Sequence, residues 1–191
     1  MSIRKILKYG TPSLRVPSKE VLKISKKIQV LIDDLIDTMY AANGVGIAAP
    51  QVGENLRIFI IDVTPTDKPP NPIVFVNPKI IKKSGAMNSN ESCLSFPEAF
   101  ANVRRYEQVT VKALDSKGRP FVIESKDDRL LAKALQHEFD HLNGVLFIDH
   151  ARNRFEVESE LLKAKLPPLN PEKLLNEPEL EQLIQEKEAG S

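Results

Sequence analysis

The sequence predicts an α+β fold: antiparallel sheets packed around a central helix that carries the pattern H-E-x-x-H, with another helix near the N-terminus and a C-terminal tail. Two observations lead there. Apolar residues at helical spacing fall in two main segments, and the β-branched or alternating segments come in runs between them instead of alternating singly with helices as a βαβ fold requires. With 191 residues, 27 of them basic and 26 acidic, the chain has an ordinary globular balance and is long enough for one substantial core.

Ile28, Leu31, Ile32, Leu35, Ile36 and Met39 recur at helical spacing, with Lys26, Lys27, Asp33, Asp34 and Asp37 mostly on the other side. An amphipathic helix is therefore expected over about residues 25–42, stopped by Asn43-Gly44. Leu56 to Val63 is an apolar, β-branched run suited to a buried strand. Thr64 to Pro72, rich in Pro, Asp and Lys, reads as a loop; Ile73–Asn77 and Lys79–Lys82 read as short strands, and Gly85–Asn90 as a surface turn. Val109–Leu114 and Pro120–Glu124 alternate on either side of Asp115-Ser116-Lys117-Gly118, which predicts a hairpin. Asp127 or Asp128 caps the following helix, whose apolar face is Leu130, Leu131, Ala134, Leu135 and Leu142 and whose end is Asn143-Gly144. Residues 1–165 form one domain in this reading. At 166–191 the composition turns to Leu-Pro-Pro-Leu-Asn-Pro and then to Glu, Lys and Gln, a tail that is partly disordered or docked on a neighbouring surface.

A formal charge of +1 and the absence of any basic block argue against nucleic acid as a direct substrate. The N-terminus does not resemble a signal peptide, and the apolar runs are too short to span a bilayer, so no membrane association is expected. A single cysteine, Cys93, excludes an intramolecular disulfide and fits a reducing cytoplasm. Such a lone thiol is either a small buried hydrophobe or a reactive or metal-binding group.

His137-Glu138-Phe139-Asp140-His141 carries the chemistry. At i and i+4 the imidazoles lie one turn apart on one helical face, where both reach a single divalent metal with the glutamate beside them. A catalytic site needs a third protein ligand and an open position. His150 lies beyond the helix-ending glycine and reads as a surface or interface histidine, which leaves Cys93 the better candidate.

Three segments, Gly44-Val45-Gly46-Ile47-Ala48-Ala49-Pro50-Gln51, Glu91-Ser92-Cys93-Leu94-Ser95 and Gln136-His137-Glu138-Phe139-Asp140-His141-Leu142, resemble in order and spacing the motifs of peptide deformylase. The likeness spans about residues 3–150, from Arg4-Lys5-Ile6-Leu7 and Leu14-Arg15 through Gly144 to Asp149, and does not reach the tail. It implies that residues 1–165 are a catalytic domain in which Cys93, His137 and His141 hold one divalent metal. Fe²⁺ is the expected native ion, with Zn²⁺, Ni²⁺ or Co²⁺ as occupants of a purified sample. It also implies removal of the formyl group from the N-terminal formylmethionine of new polypeptides in a bacterial cytoplasm, with the ribosome near the exit tunnel as a candidate partner. Glu138 would be the general base, and the Gln51 amide and Leu94 backbone N–H the oxyanion donors. On the residues alone, Gln51 could as well cap a turn.

Gly44, Val45 and Gly46 would offer backbone groups to an extended peptide, and Val45, Leu130, Ala134 and His137 are candidates for the apolar pocket of its first residue. Glu91 would pair with Arg105, or else Arg104, to brace the cysteine loop. Ser92 departs from the family, which usually has glycine there, so a reshaped loop is expected. Two rivals remain at this point: a peptidase using the same H-E-x-x-H chemistry, and a catalytically silent homologue that binds peptide or metal or acts as a ribosome-associated factor.

Overall fold

The computed structural model describes residues 2–151 and 153–169. Ser25 opens the first helix, α1 (Lys26–Ala41), its hydroxyl accepting a hydrogen bond from the Ile28 N–H. Asn43, in the left-handed region at φ 54°, turns the chain into strand β1 (Gly46–Ala48) and a 3₁₀ turn, Ala49–Val52. Then follow β2 (Ile58–Ile61), β3 (Ile73–Ser84), β4 (Met87–Cys93), β5 (Phe96–Arg105), β6 (Gln108–Leu114) and β7 (Pro120–Glu124). Helices α2 (Arg129–Leu142) and α3 (Arg154–Lys163) complete the described chain.

β1, β2, β3, β6 and β7 form a five-stranded sheet in that order, and β4 and β5 a separate two-stranded one; every strand pairing in both is antiparallel. The large sheet has a helix on each face. Ile58 and Ile60 of β2 face the cluster built on Leu31, Ile32, Leu35 and Met39 of α1, while Phe59 and Ile61 join Leu131, Leu135, Phe139 and Leu142 of α2. A strand covered on both faces needs apolar residues at every position, which explains the unbroken run. The small sheet packs its own cluster, Phe96, Ala99, Ala101 and Val103, against Phe147, Ile148, Val157 and Leu161.

Four local expectations change. Ile73–Asn77 and Lys79–Lys82 belong to a single strand, β3, with a register shift between Val76 and Lys79 around Pro78, which has no N–H for the ladder. Asn77 absorbs the irregularity at φ 51° and exchanges two hydrogen bonds with the Val21 backbone. The turn expected at Gly85–Asn90 is confined to Gly85 and Ala86, because Met87–Asn90 pairs with β5. On α2, Leu130 lies outside the apolar face, 40% exposed in the first turn, and Phe139 takes its place. Helix α3 was not foreseen: only Val157 and Leu161 are buried on it, too few to give a periodic signal.

Residues 166–169, at the start of the expected tail, lie against the domain. Leu169 is buried in the small-sheet cluster, and the Tyr9 hydroxyl donates to the Pro168 carbonyl at 3.3 Å. The remainder of that tail, 170–191, falls outside the described residues. Among the described residues, no helix is long and apolar enough to cross a membrane.

Candidate metal centre

Asp128 starts α2, its carboxylate accepting from the Leu131 N–H at 2.9 Å, and from Leu131 to Leu142 nearly every residue is buried. His137 and His141 therefore meet in the interior, ring centroids 5.1 Å apart. The two-residue turn of the β4–β5 hairpin, Leu94-Ser95, brings Cys93 to them. Ligand atoms of Cys93, His137 and His141 lie within 4.8 Å of one another, and Cys93 Sγ is 3.3 Å from His141 Nε2. With metal–sulfur and metal–nitrogen bonds of about 2.3 and 2.0 Å, a tetrahedral centre sets sulfur and nitrogen roughly 3.5 Å apart. The donor set fits one divalent ion.

The electrostatics point the same way. Burial alone would push the His137 imidazole down, but Cys93 and the Glu91 carboxylate beside it hold it well above its ordinary value, so this spot favours positive charge. His141 is pushed well below its ordinary value, by burial first and by His137 second, which keeps it neutral as a ligand must be. Buried polar atoms without a partner are rare. Of the three among the described residues, Glu138 Oε2 and His141 Nδ1 belong to this motif.

Behind the ligands runs a chain of buried charges. His137 Nδ1 is 2.9 Å from Glu91 Oε2, which fixes the ring so that Nε2 is left for the metal. Arg105 grips Glu91 with two bonds of 2.8 and 2.9 Å and donates to Asp140 at 2.5 Å; Asp140 in turn lies 2.9 Å from His150 Nε2. Burial would raise the carboxyls of Glu91 and Asp140, yet Arg105, with His137 on one side and His150 on the other, holds both well below the usual carboxylate range. Arg105, not Arg104, is the partner of Glu91. The reading of His150 as a surface or interface residue is corrected: it is the outer end of this chain, and the absence of any helical or ligand spacing around it hid that role.

Glu138 follows His137 along α2, about 100° further round the helix. Desolvation first, and the neighbouring carboxylates of Glu91 and Asp140, push its carboxyl up to about 7. Gln51 caps the turn, its side-chain oxygen accepting from the Ala48 N–H at 2.8 Å, and its amide nitrogen is 3.5 Å from Cys93 Sγ and 3.2 Å from Ser95 Oγ. Leu94 is the first residue of the two-residue hairpin turn, a position whose N–H takes no part in the ladder. Ser92 has no positive φ, so its backbone carries none of the strain considered for a position where glycine is usual; the register shift falls between it and Cys93.

A pocket of about 530 Å³ opens onto this centre, lined among others by Gly44, Val45, Gly46, Ala134, His137 and Glu138. Leu130 is not part of its lining. Lys133, Phe96 and Phe100, which the sequence reading did not single out, are.

The family model for polypeptide deformylase matches residues 3–156. Peptide deformylase 1 of Clostridium acetobutylicum is 50% identical over 149 residues, 78% of this chain and 95% of that protein. Peptide deformylase 2 of Vibrio cholerae is 47% identical over 151 residues, 78% of this chain and 87% of that protein. Among solved structures, a peptide deformylase of Synechococcus elongatus in complex with actinonin superposes with a TM-score of 0.82 at 38% identity, covering 90% of this chain and 91% of that one. The Thermotoga maritima peptide deformylase gives 0.74 at 37% identity, covering 80% and 100%.

Proposed function

The chain belongs to the polypeptide deformylase family, and from that premise we propose how its residues share the work of deformylation. The protein is a metal-dependent hydrolase that removes the N-formyl group from the N-terminal formylmethionine of nascent polypeptides, releasing formate and a free amine. Cys93, His137 and His141 hold one divalent metal. When bound, the metal supplies Lewis-acid polarisation and lowers the pKa of water toward neutrality.

Glu138 takes a proton from the attacking water and returns it to the departing amine. A carboxyl near neutrality, with one oxygen buried and unpartnered, suits a group that must both accept and release a proton. The Gln51 amide and the Leu94 N–H donate to the oxygen on which charge develops. β1 is the edge strand of the large sheet, so Gly44, Val45 and Gly46 can pair with an extended peptide through backbone groups alone, which suits substrates of variable sequence. Val45, Ala134 and His137 shape the pocket for the methionine side chain, which Leu130 does not line.

We further infer Fe²⁺ as the native metal, with zinc, nickel or cobalt taken up during purification, since thiolate and imidazole donors accept all four. A substrate that is a nascent chain supports a cytoplasmic location near the ribosomal exit.

The observation that carries this reading is the convergence of Cys93, His137 and His141 beside the buried Glu138. Its test is an assay on formyl-Met-Ala-Ser with metal analysis. Wild type should release formate and leave the peptide backbone intact, and Cys93→Ala should lose metal and activity together. Cleavage of internal peptide bonds at a comparable rate, or a full metal equivalent in Cys93→Ala at wild-type affinity, would contradict it.

A further inference from the structure

The Glu138 carboxylate has to stay within reach of the reacting water, yet Oε2 has no hydrogen bond and the group is almost fully buried. Packing, not hydrogen bonding, must locate it. The closest packing comes from Gly46 in β1: a Cβ built there would lie 2.5 Å from Glu138 Oε1, 2.9 Å from its Cδ and 3.0 Å from its Cγ. Contacts that short cannot persist, so any side chain at 46 displaces the carboxylate.

The three atoms nearest to that missing Cβ all belong to Glu138. Gly46 pairs with Ile61 in the ladder and its φ is not positive, so the backbone would accept alanine. The atoms it would strike are the outer end of a side chain and not main chain, so the fold can yield by moving Glu138. We propose that Gly46 is a positioning residue for the general base: the missing Cβ is the seat of the Glu138 carboxylate. This deepens the proposed function and rests on its assignment of Glu138. It also gives the two glycines of the first motif separate duties, since the Cβ missing from Gly44 would lie 2.9 Å from Leu94 Cδ1 instead.

A glycine that served only to admit the peptide backbone would behave differently. Alanine would then hinder substrate approach, raise KM and act the same whether or not Glu138 is present. As a seat for Glu138 it should affect turnover and be silent once Glu138 is truncated.

The experiment is a double-mutant cycle of Gly46→Ala and Glu138→Ala in the metal-loaded enzyme, read by kcat and KM on formyl-Met-Ala-Ser, by metal content and by Tm. Gly46→Ala should lower kcat at least about tenfold, leave KM within about threefold and keep one metal per chain. In the Glu138→Ala background, where the Cβ finds room, the same change should cost no more than about twofold in kcat and no Tm beyond that of Glu138→Ala. A raised KM with kcat preserved, or losses that multiply across the cycle, would overturn the proposal. If Gly46→Ala fails to fold, recovery of folding in the double variant supports the contact and continued failure overturns it. Near-normal turnover of Glu138→Ala alone would instead refute the base assignment, while the Tm cycle still reads the contact between the two residues.

Discussion

Two adjacent side chains of the H-E-x-x-H helix, the ligand His137 and the base Glu138, are held by opposite means. On the ligand side, His137, Glu91, Arg105, Asp140 and His150 form a continuous line of charge-assisted bonds, buried up to the half-buried His150, none longer than 2.9 Å along the line. On the base side Glu138 has a buried oxygen with no partner and is seated by the space above Gly46. The contrast follows the two tasks. A metal ligand must keep one orientation and one protonation state, which fixed bonds secure for His137, while His141, whose Nδ1 has no partner, is held by burial and its contact with Cys93. A general base must gain and lose a proton, and strong partners to its charged form would pull its pKa down as they do for Glu91 and Asp140.

The largest break should come from the ligand side. Arg105→Met leaves Glu91 and Asp140 as uncompensated buried charges, so unfolding by urea should show a loss of about 3–5 kcal/mol, accompanied by weaker metal binding. A loss below about 1 kcal/mol would mean that water or rearrangement compensates and that the charge line is not what holds the ligands.

Acid sharpens the same contrast. Glu91 and Asp140 have folded pKa values below their unfolded ones, so their stabilisation is complete above the unfolded value near about 4 and is lost as pH falls toward the folded values. The stability of metal-free wild type should therefore drop with pH below about 4, and that slope should flatten in the double variant Glu91→Gln, Asp140→Asn. An unchanged slope would assign acid sensitivity to other carboxylates, such as Asp34, which the Ser2 N–H and Arg4 also hold low.

The smallest effect belongs to the tail, whose described start packs into the small-sheet cluster. Deleting residues 170–191 should leave kcat/KM on formyl-Met-Ala-Ser within about threefold, below about 1 kcal/mol in transition-state free energy. Deletion from Leu166 should in addition remove the buried Leu169 and cost roughly 2 kcal/mol of stability. A large activity loss from the shorter deletion in folded, metal-loaded protein would bring the tail into the active site.

Much of this arrangement was legible in the sequence, and unevenly so. The ligand helix could be read because i,i+4 spacing is a local property, and β2 because burial on both faces leaves a continuous apolar run. The resemblance to a known family pointed to Gln51 and Leu94, and the opposite charges of Glu91 and Arg105 suggested their pairing. His150 was read as a surface or interface residue because its partner, Asp140, is near only after the chain turns at Gly144. The seat at Gly46 could not be read at all: it depends on a distance between β1 and α2, and sequence records a missing side chain without saying what occupies the space. Leu130 shows the reverse failure, a helical apolar residue at the right period that faces outward because it sits in the first turn, ahead of the packed segment.

Metal content and turnover measured on one sample of Glu138→Ala test the central division most directly. The account predicts one divalent metal per chain, bound as in wild type, with kcat on formyl-Met-Ala-Ser reduced at least about 100-fold. Loss of the metal together with activity would place Glu138 among the ligands, and near-normal turnover with the metal retained would show that the base lies elsewhere.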